Sequence, residues 1–430
     1  IARRAYGQTM QMIWEANHRP DALPGDPKVG GHPASCASST HLLAGLHLWV
    51  REPQDYVCCK PHASPVDHAL HHLMELQRRV PPTSGPGMDM GDWLTEEQAK
   101  AAMHCLRKMA SEDSPDVYQS YHARSDPDSF HFLPSGSVGI PPVVSVYMAL
   151  AYRYAIDHGW KVPENAHFWS LIGDSEFREG SLLEALPDVA ERQLGNVTWI
   201  IDYNRQNLDG TRIPNERTLR GTDCERIQRT AEANGWRVVQ LQHGSFRLKL
   251  FGLPGGEALR ELFEERLSDS EYQALLFAKD AQRVRERARA LVPATAPIVD
   301  QLTDAEMLCA LADLGGHDLA QVIAALSEAR QQGDVPTLIL AHTIKGWALE
   351  CAANPSNHSA LPSRQEVEKL LVDADLSTDD PFARFAPDSE EGRFLAARRD
   401  LFREGIEAHT RLRAENRAWI REQIAHDLSL

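Results

Sequence analysis

Two apolar runs in this 430-residue chain end in oxygen-bearing side chains thirty residues apart. AHFWSLI at 166–172 runs into Gly173-Asp174, and VTWIID at 197–202 runs into Asn204-Arg205-Gln206. A carboxylate, a carboxamide and a nearby backbone carbonyl suit a hard divalent cation, and magnesium completes its octahedron with water and phosphate oxygens. A third apolar run, TLILAHTIKG at 337–346, carries Lys345 at its polar end, placed to neutralise a phosphate as a point charge. Histidines supply the remaining chemistry, because an imidazole with its usual pKa near neutrality can hold or pass a proton. His32 lies in the Gly-Pro loop GGHPAS, His62 follows the short run DYVCC, and His358 sits in the loop ANPSNHSAL. His68, His71 and His72 follow at helical spacing; His68 and His72, at i and i+4, would suit a metal. No third ligand for that pair is evident in the sequence, so a wetted helix face is expected there.

The elements that must position these groups are legible as a βαβ unit. The stretches 166–172 and 197–202 read as buried strands and 180–194 as the helix between them. A right-handed crossover puts the carboxyl ends of parallel strands on one edge, which brings Asp174 near Asn204 where open α/β sheets bind ligands. DYVCC (55–59), WRVVQL (236–241) and TLILAHTIKG extend the sheet. Helices are expected at 1–16, 96–110 and 223–234 and across HLLAGLHLWV; residues 250–291 read as mostly charged helix and 390–430 as a charge-alternating one. The turn SGSVG opens a long apolar helix whose first amides could face an anion or a ring. His317 is expected as an N-cap neighbour of the helix that follows it. The fold class is α/β, a doubly wound and mostly parallel sheet flanked by helices, with helical additions. PDALPGDP and residues 373–391 are the expected flexible segments.

Bulk properties bound the function classes. A formal charge of −16 argues against a nucleic-acid surface, which needs clustered Lys and Arg. Seven cysteines without a CxxC pair fit a reducing cytoplasm, and the adjacent Cys58-Cys59 reads as strand core. No apolar run reaches the length of a membrane span, so no membrane partner is expected. Ile1 in place of methionine suggests that residues precede the numbered chain.

The interval from Asp174 to Asn204, with Gln206 two residues on and Leu208-Asp209-Gly210 following, resembles the GDG…N signature of thiamine-diphosphate enzymes of the transketolase superfamily. Within it, SEYQALLFAKDAQRVRERA and LGGHDLAQVIAALSEA are most similar to the homodimeric bacterial pyruvate dehydrogenase first component. The resemblance implies magnesium held by Asp174, Asn204 and the main-chain carbonyl of Gln206, and thiamine diphosphate held around Gly173, Asp174 and Ser175. GGHPAS resembles the GHP segment, assigning His32 and Ser35 to the diphosphate region; KPHASP resembles GHxSP, assigning His62 to the thiazolium and diphosphate. SGSVGIPP resembles the S-x-G-x-G-P turn that supports the cofactor's rings, through Ser137, Val138 and Ile140. Glu179 matches the acid of GDGxxxEG and Lys345 the lysine of HTIKG, while His358 corresponds to a loop histidine near the reacting carbons. His62 and His358, with His32, are the catalytic candidates. Three positions depart from the pattern: Pro61 and Pro141 replace glycines, and Ser175 replaces the last glycine of GDG. Serine there can still donate its amide if its φ is negative.

The resemblance covers nearly the whole chain but one half of such an enzyme, the half that grips diphosphate and metal. It implies a domain at 1–365, with a helical insertion at about 250–335, and a helical extension at 366–430. The implied function is the diphosphate- and magnesium-binding subunit of a split enzyme that decarboxylates a 2-oxo acid and transfers the resulting acyl or ketol unit. A separate chain would then carry the pyrimidine-binding half and the activating glutamate in an α2β2 heterotetramer. A longer polypeptide containing these residues would look the same. The resemblance leaves four acceptors open: a lipoyl arm, a carrier-protein thiol, an aldehyde or a sugar. A split transketolase-like subunit moving two-carbon units between sugars is the second reading, and a degenerate regulatory or scaffold relative, motivated by Ser175 and Pro141, the third.

Overall fold

The computed structural model describes residues 1–20, 29–80, 91–119, 121–131, 136–208, 210–211, 223–331 and 333–428. PDALPGDP and most of the 211–221 loop lie largely or wholly outside them.

Five parallel strands form the central sheet: β1 (Tyr56–Cys59), β2 (Phe168–Gly173), β3 (Val197–Tyr203), β6 (Arg237–Leu241) and β7 (Thr337–His342), in the order β1-β2-β3-β7-β6. A two-residue hairpin, β4 (Gln206–Asn207) with β5 (Gly210–Thr211), follows β3. Every residue of β1, β3 and β7 is buried, the near-continuous apolar pattern of strands covered on both faces, whereas edge strand β6 is mostly half-buried.

Strand alternation sorts the core into two layers. Trp169, Leu171, Ile200 and Ile339 pack with α1 (Ala2–Asn17), α2 (Pro33–Gly45) and α3 (Ser64–Leu73) on one face. After the short α4 (Glu96–Met103) come α5 (Ile140–Asp157), α6 (Gly180–Glu191) and α7 (Asp223–Ala233), which cover the other face over Phe168, Ile172, Trp199 and Leu338. The doubly wound reading therefore holds. Trp169 and Trp199 are wholly buried, and truncating such a ring to alanine costs about 3–5 kcal/mol.

The charged stretch at 250–291 is not one long helix. Helices α8 (Ser245–Phe251), α9 (Gly256–Glu261), α10 (Asp269–Ala278), α11 (Ala281–Leu291), α12 (Ala296–Val299) and α13 (Asp304–Ala312) surround an apolar core of their own. The chain then returns through α14 (Leu319–Arg330) to β7 and ends in α15 (Arg364–Asp373), which packs on α1, and the 39-residue α16 (Glu390–Leu428). No strand follows β7 among the described residues. No described helix is long and apolar enough to cross a membrane.

Several local expectations are corrected. The helix expected at 96–110 stops at Met103, because Arg107 takes a left-handed φ of 60° and donates its amide to the Tyr118 carbonyl. The histidines of α3 are not a wetted face: His68, His71 and His72 are all buried, since α3 is covered by α1 and by Tyr118, His122 and Asp128. His317 is more than a cap neighbour; it is half-buried, stacks on Trp347 and accepts the Ile344 amide at 2.9 Å. Cys58 and Cys59 are strand core as expected, with burial pushing both thiols up.

Candidate functional site

Sheet register brings the chemistry-bearing residues together. Gly173 pairs with Asp202 and Tyr203 with His342, so the segments leaving β1, β2, β3 and β7 emerge side by side on one edge. These segments carry Lys60 and His62, Asp174 and Ser175, Asn204 to Gln206, and Thr343 to Lys345. Gly346 donates its amide to the Ala34 carbonyl at 2.8 Å, drawing the GGHPAS loop onto the same edge.

Asp174 is 1% exposed, and its two oxygens accept the amides of Ser175 at 2.7 Å and Arg205 at 2.8 Å. Arg205 adopts a left-handed φ of 63°, the tight turn that aims its amide at Asp174. Its buried guanidinium donates to the Thr343 carbonyl at 2.7 Å. Asn204 Oδ1 accepts the Gln206 amide at 3.1 Å. A carboxylate, a carboxamide and a nearby main-chain carbonyl are the hard oxygen ligands that suit a divalent cation such as magnesium. The Gln206 side chain is engaged elsewhere, donating to the Asn354 carbonyl at 2.9 Å and accepting from Asn357 at 3.3 Å. It thereby holds the loop that carries His358.

Three imidazoles meet beside this oxygen set. The ring centroids of His32 and His62 are 4.0 Å apart, and those of His32 and His358 are 5.0 Å apart. Burial, reinforced by neighbouring His358, Arg107 and Lys345, pushes His32 down to about 4. His62 falls to about 2 through burial, then His32 and Lys60. His358 is lowered by burial and Lys345. All three are therefore held toward the neutral form at pH 7 in the free protein. Lys345 is 4% exposed, with Nζ 3.3 Å from His358 Nδ1 and 3.2 Å from the Asn207 carbonyl oxygen it donates to. Burial brings it down to about 8, against the pull of Asp174. The three imidazoles could geometrically hold a metal ion. The adjacent ammonium repels a cation, so this side of the site suits an anion.

Lys60, at the end of β1, is bound to Asp202, which also accepts from Ser38 at 2.6 Å, from Ser39 at 3.2 Å and from Thr343. The Lys60 charge holds Asp202 below the usual carboxylate range despite complete burial. Ser38 and Ser39 reach it because α2 is built largely of small residues and packs against the sheet edge.

The turn at 136–139 closes the other side. Ser137, Val138 and Ile140 are exposed, and Gly139 at φ 83° caps α5. Glu176 ties this turn to the Asp174 loop, accepting the Gly139 amide at 2.7 Å and the Gly173 amide at 3.0 Å. Glu179 is exposed and lies against Gly139; the bridging carboxylate is Glu176, three residues earlier. Ser175 has φ −75°, so serine sits there without strain, and Pro141 occupies the first turn of α5, where a missing N–H costs little. Ser175 Oγ and His32 Nδ1 are buried without a hydrogen-bond partner.

His32, Ser35, His62, Gly173, Asp174, Ser175, Asn204, Gln206, Lys345 and His358 thus share one edge, with Ser137, Val138, Ile140 and Glu179 at its rim. Sequence reasoning missed Lys60, Glu176, Asp202, Arg205 and Asn357. Lys60 and Asp202, at the tips of apolar runs, could have been found by the same rule that found Asp174; nothing local marks Asn357.

No protein-family model matches the chain. It is 29% identical over 397 residues to the pyruvate dehydrogenase E1 component of Escherichia coli, covering 91% of this chain and 40% of that protein. To the Pseudomonas aeruginosa protein of the same name it is 30% identical over 406 residues, 91% of this chain and 41% of that one. The chain thus spans about two-fifths of the length of these relatives. Among solved structures, transketolase from Leishmania mexicana superposes with a TM-score of 0.57 at 14% identity, over all of this chain and 48% of that one. Transketolase from Campylobacter jejuni gives 0.57 at 16% identity, over 96% and 47%.

Proposed function

We propose that the chain, similar over most of its length to pyruvate dehydrogenase E1 components and in fold to transketolases, is the diphosphate- and magnesium-gripping part of a thiamine-diphosphate enzyme that decarboxylates a 2-oxo acid. The observation that carries this reading is the division of one sheet edge into two halves. Oxygens of Asp174 and Asn204 stand on one side; buried Lys345 with three neutral imidazoles stands on the other. A metal diphosphate presents those two faces at once.

The residues present fit the group. Asp174, Asn204 and the Gln206 carbonyl would hold magnesium, and Ser175 Oγ, an orphaned buried hydroxyl, would find an acceptor in a phosphate oxygen. His32 and His62 would donate N–H to the diphosphate, and Lys345 would neutralise it. When bound, the cofactor supplies a carbanionic carbon that adds to a carbonyl and stabilises the charge left by decarboxylation. Neutral His62 and His358 can each donate a ring N–H to the carbonyl oxygen of the 2-oxo acid, where negative charge develops. The turn at 136–139 would back the rings, with Glu176 fixing it against the metal loop.

The pyrimidine-binding half and its activating glutamate would come from a partner chain, in an α2β2 heterotetramer. Support for a partner comes from α5, which starts at the site's rim and along which Ile140, Tyr147, Tyr154 and Ile156 are each 43–53% exposed. Such an apolar stripe is what an interface core presents. A lipoyl or carrier-protein thiol would accept the acyl unit.

Calorimetric titration of the complete complex with magnesium and thiamine diphosphate, followed by pyruvate decarboxylation against an artificial electron acceptor, tests the reading. Binding that is lost in Asp174→Ala supports it; no binding by the complex favours a scaffold. Full activity from this chain alone would end the split-site idea.

A further inference from the structure

The histidines of α3 that this reading leaves unused belong to a second cluster. His47, His68, His71 and His122 lie at 0–3% exposure among Asp67, Asp126 and Asp128, themselves at 0–2%. Two of the carboxylates orient the rings. Asp128 Oδ2 accepts from His68 Nδ1 at 2.8 Å and from His71 Nδ1 at 3.2 Å. Asp67 accepts from His47 Nε2 at 2.7 Å and from His122 Nε2 at 2.8 Å. A carboxylate that fixes one ring nitrogen as the donor leaves the other as a lone-pair ligand, the arrangement found behind metal-binding histidines.

His68 Nε2 is such a nitrogen. It is fully buried and has no hydrogen-bond partner, a condition that native cores rarely leave unexplained. His68, His122 and Asp126, offering one ligand atom each, form a group whose ligand atoms all lie within 4.8 Å of one another. Three buried carboxylates, Asp67, Asp126 and Asp128, concentrate negative charge around these rings and favour a positive charge at His68 against its burial. The Arg51 guanidinium beside them bonds His47 at 2.8 Å and His71 at 3.0 Å.

We propose that His68, His122 and Asp126 bind a structural divalent transition metal of the zinc class, to which two imidazoles and a carboxylate are suited. A tetrahedral ion with bonds of about 2.0–2.1 Å needs donors roughly 3.3 Å apart, so the ligands draw inward by up to about 1.5 Å on loading. The ion joins α3, which starts just after His62, to the 121–131 segment. Tyr121, the neighbour of His122, has its ring 6.2 Å from that of His62, so the ion also braces a wall of the first site. The pair suggested by helical spacing, His68 with His72, is not the one used: His72 is engaged with Gln77 at 3.1 Å and the Phe382 carbonyl at 2.9 Å.

The test loads the full chain with zinc, passes it through a desalting column and measures metal by mass spectrometry, with cobalt as a visible-absorbing substitute. About one equivalent is expected in the wild type, with a raised thermal midpoint. His68→Gln and Asp126→Asn should lose it while remaining folded by circular dichroism. His72→Gln, His62→Gln and Asp174→Ala should keep it, the last two separating this site from the cofactor edge. Less than a tenth of an equivalent in folded wild-type protein overturns the proposal, as does metal that disappears with His62→Gln but survives His68→Gln. Should both ligand variants misfold, cobalt absorption in the wild type still decides, because an all-water octahedral ion lacks the intense tetrahedral bands.

Discussion

Replacing Lys345 by methionine removes the ammonium from the edge while keeping most of its volume. In the free protein the group titrates at about 8, so at pH 7 about nine-tenths of molecules carry the charge. A charge-assisted hydrogen bond to a buried partner contributes ~1.5–3 kcal/mol, which corresponds to a roughly 10- to 150-fold weaker affinity for a diphosphate in the variant. The same charge suppresses protonation of His32, His62 and His358, so all three should titrate higher once it is gone. The sign of the pH effect follows: a bound anion raises the lysine pKa, so wild-type affinity falls as pH rises through about 8, and the variant is flat in that window. Calorimetry of the full chain with magnesium diphosphate between pH 6.5 and 9, in two buffers of different ionisation enthalpy, reads both affinity and proton uptake. Wild-type-like affinity in Lys345→Met, or the same decline above pH 8 in both proteins, would refute the anion-site reasoning.

Asp202→Asn strips the counter-charge from buried Lys60 and should cost about 3–5 kcal/mol in urea unfolding. Because the folded-state pKa of Asp202 is depressed, its stabilisation is present above the ordinary carboxylate range and is lost as pH falls through the folded value; the variant's stability should lack that acid-side component. Gly139→Ala places a Cβ 2.5 Å from that of Glu179 at φ 83°, so a loss of about 1–3 kcal/mol in thermal unfolding is expected, along with weaker cofactor binding. Ser175→Gly should be mild, lowering stability by about 0.5–1 kcal/mol, since φ −75° needs no glycine; a clear gain in stability would contradict the unstrained backbone.

The strands and their common edge were readable because parallel strands buried on both faces must be continuous apolar runs, and because the polar residue ending each run must lie where the sheet ends. Asp174, Asn204 and Lys345 follow from that rule. Where the same rule was not applied, at Lys60 and Asp202, an ion pair went unseen. The α3 histidines failed for a different reason. Helical spacing says which residues share a face but not what covers it, and the cover here comes from Tyr118, His122 and Asp128, which follow no periodicity that could be read. Glu176 was displaced by Glu179 because motif spacing identifies an acid in the right turn, while backbone geometry decides which carboxylate reaches the two amides.

The two amide hydrogen bonds that Glu176 accepts tie the assembly of two loops together. Gly139 and Glu176 are 37 residues apart, and the carboxylate can close that loop only after β2 has docked and its carboxyl end is in place. The turn at 136–139 and the Asp174 loop therefore mature in one event, with burial raising the Glu176 pKa and its two amide bonds opposing that rise. An intermediate that has formed its sheet but not this clamp would have native secondary structure and no cofactor pocket. Refolding followed by a strand-sensitive signal should then run ahead of refolding followed by ligand binding.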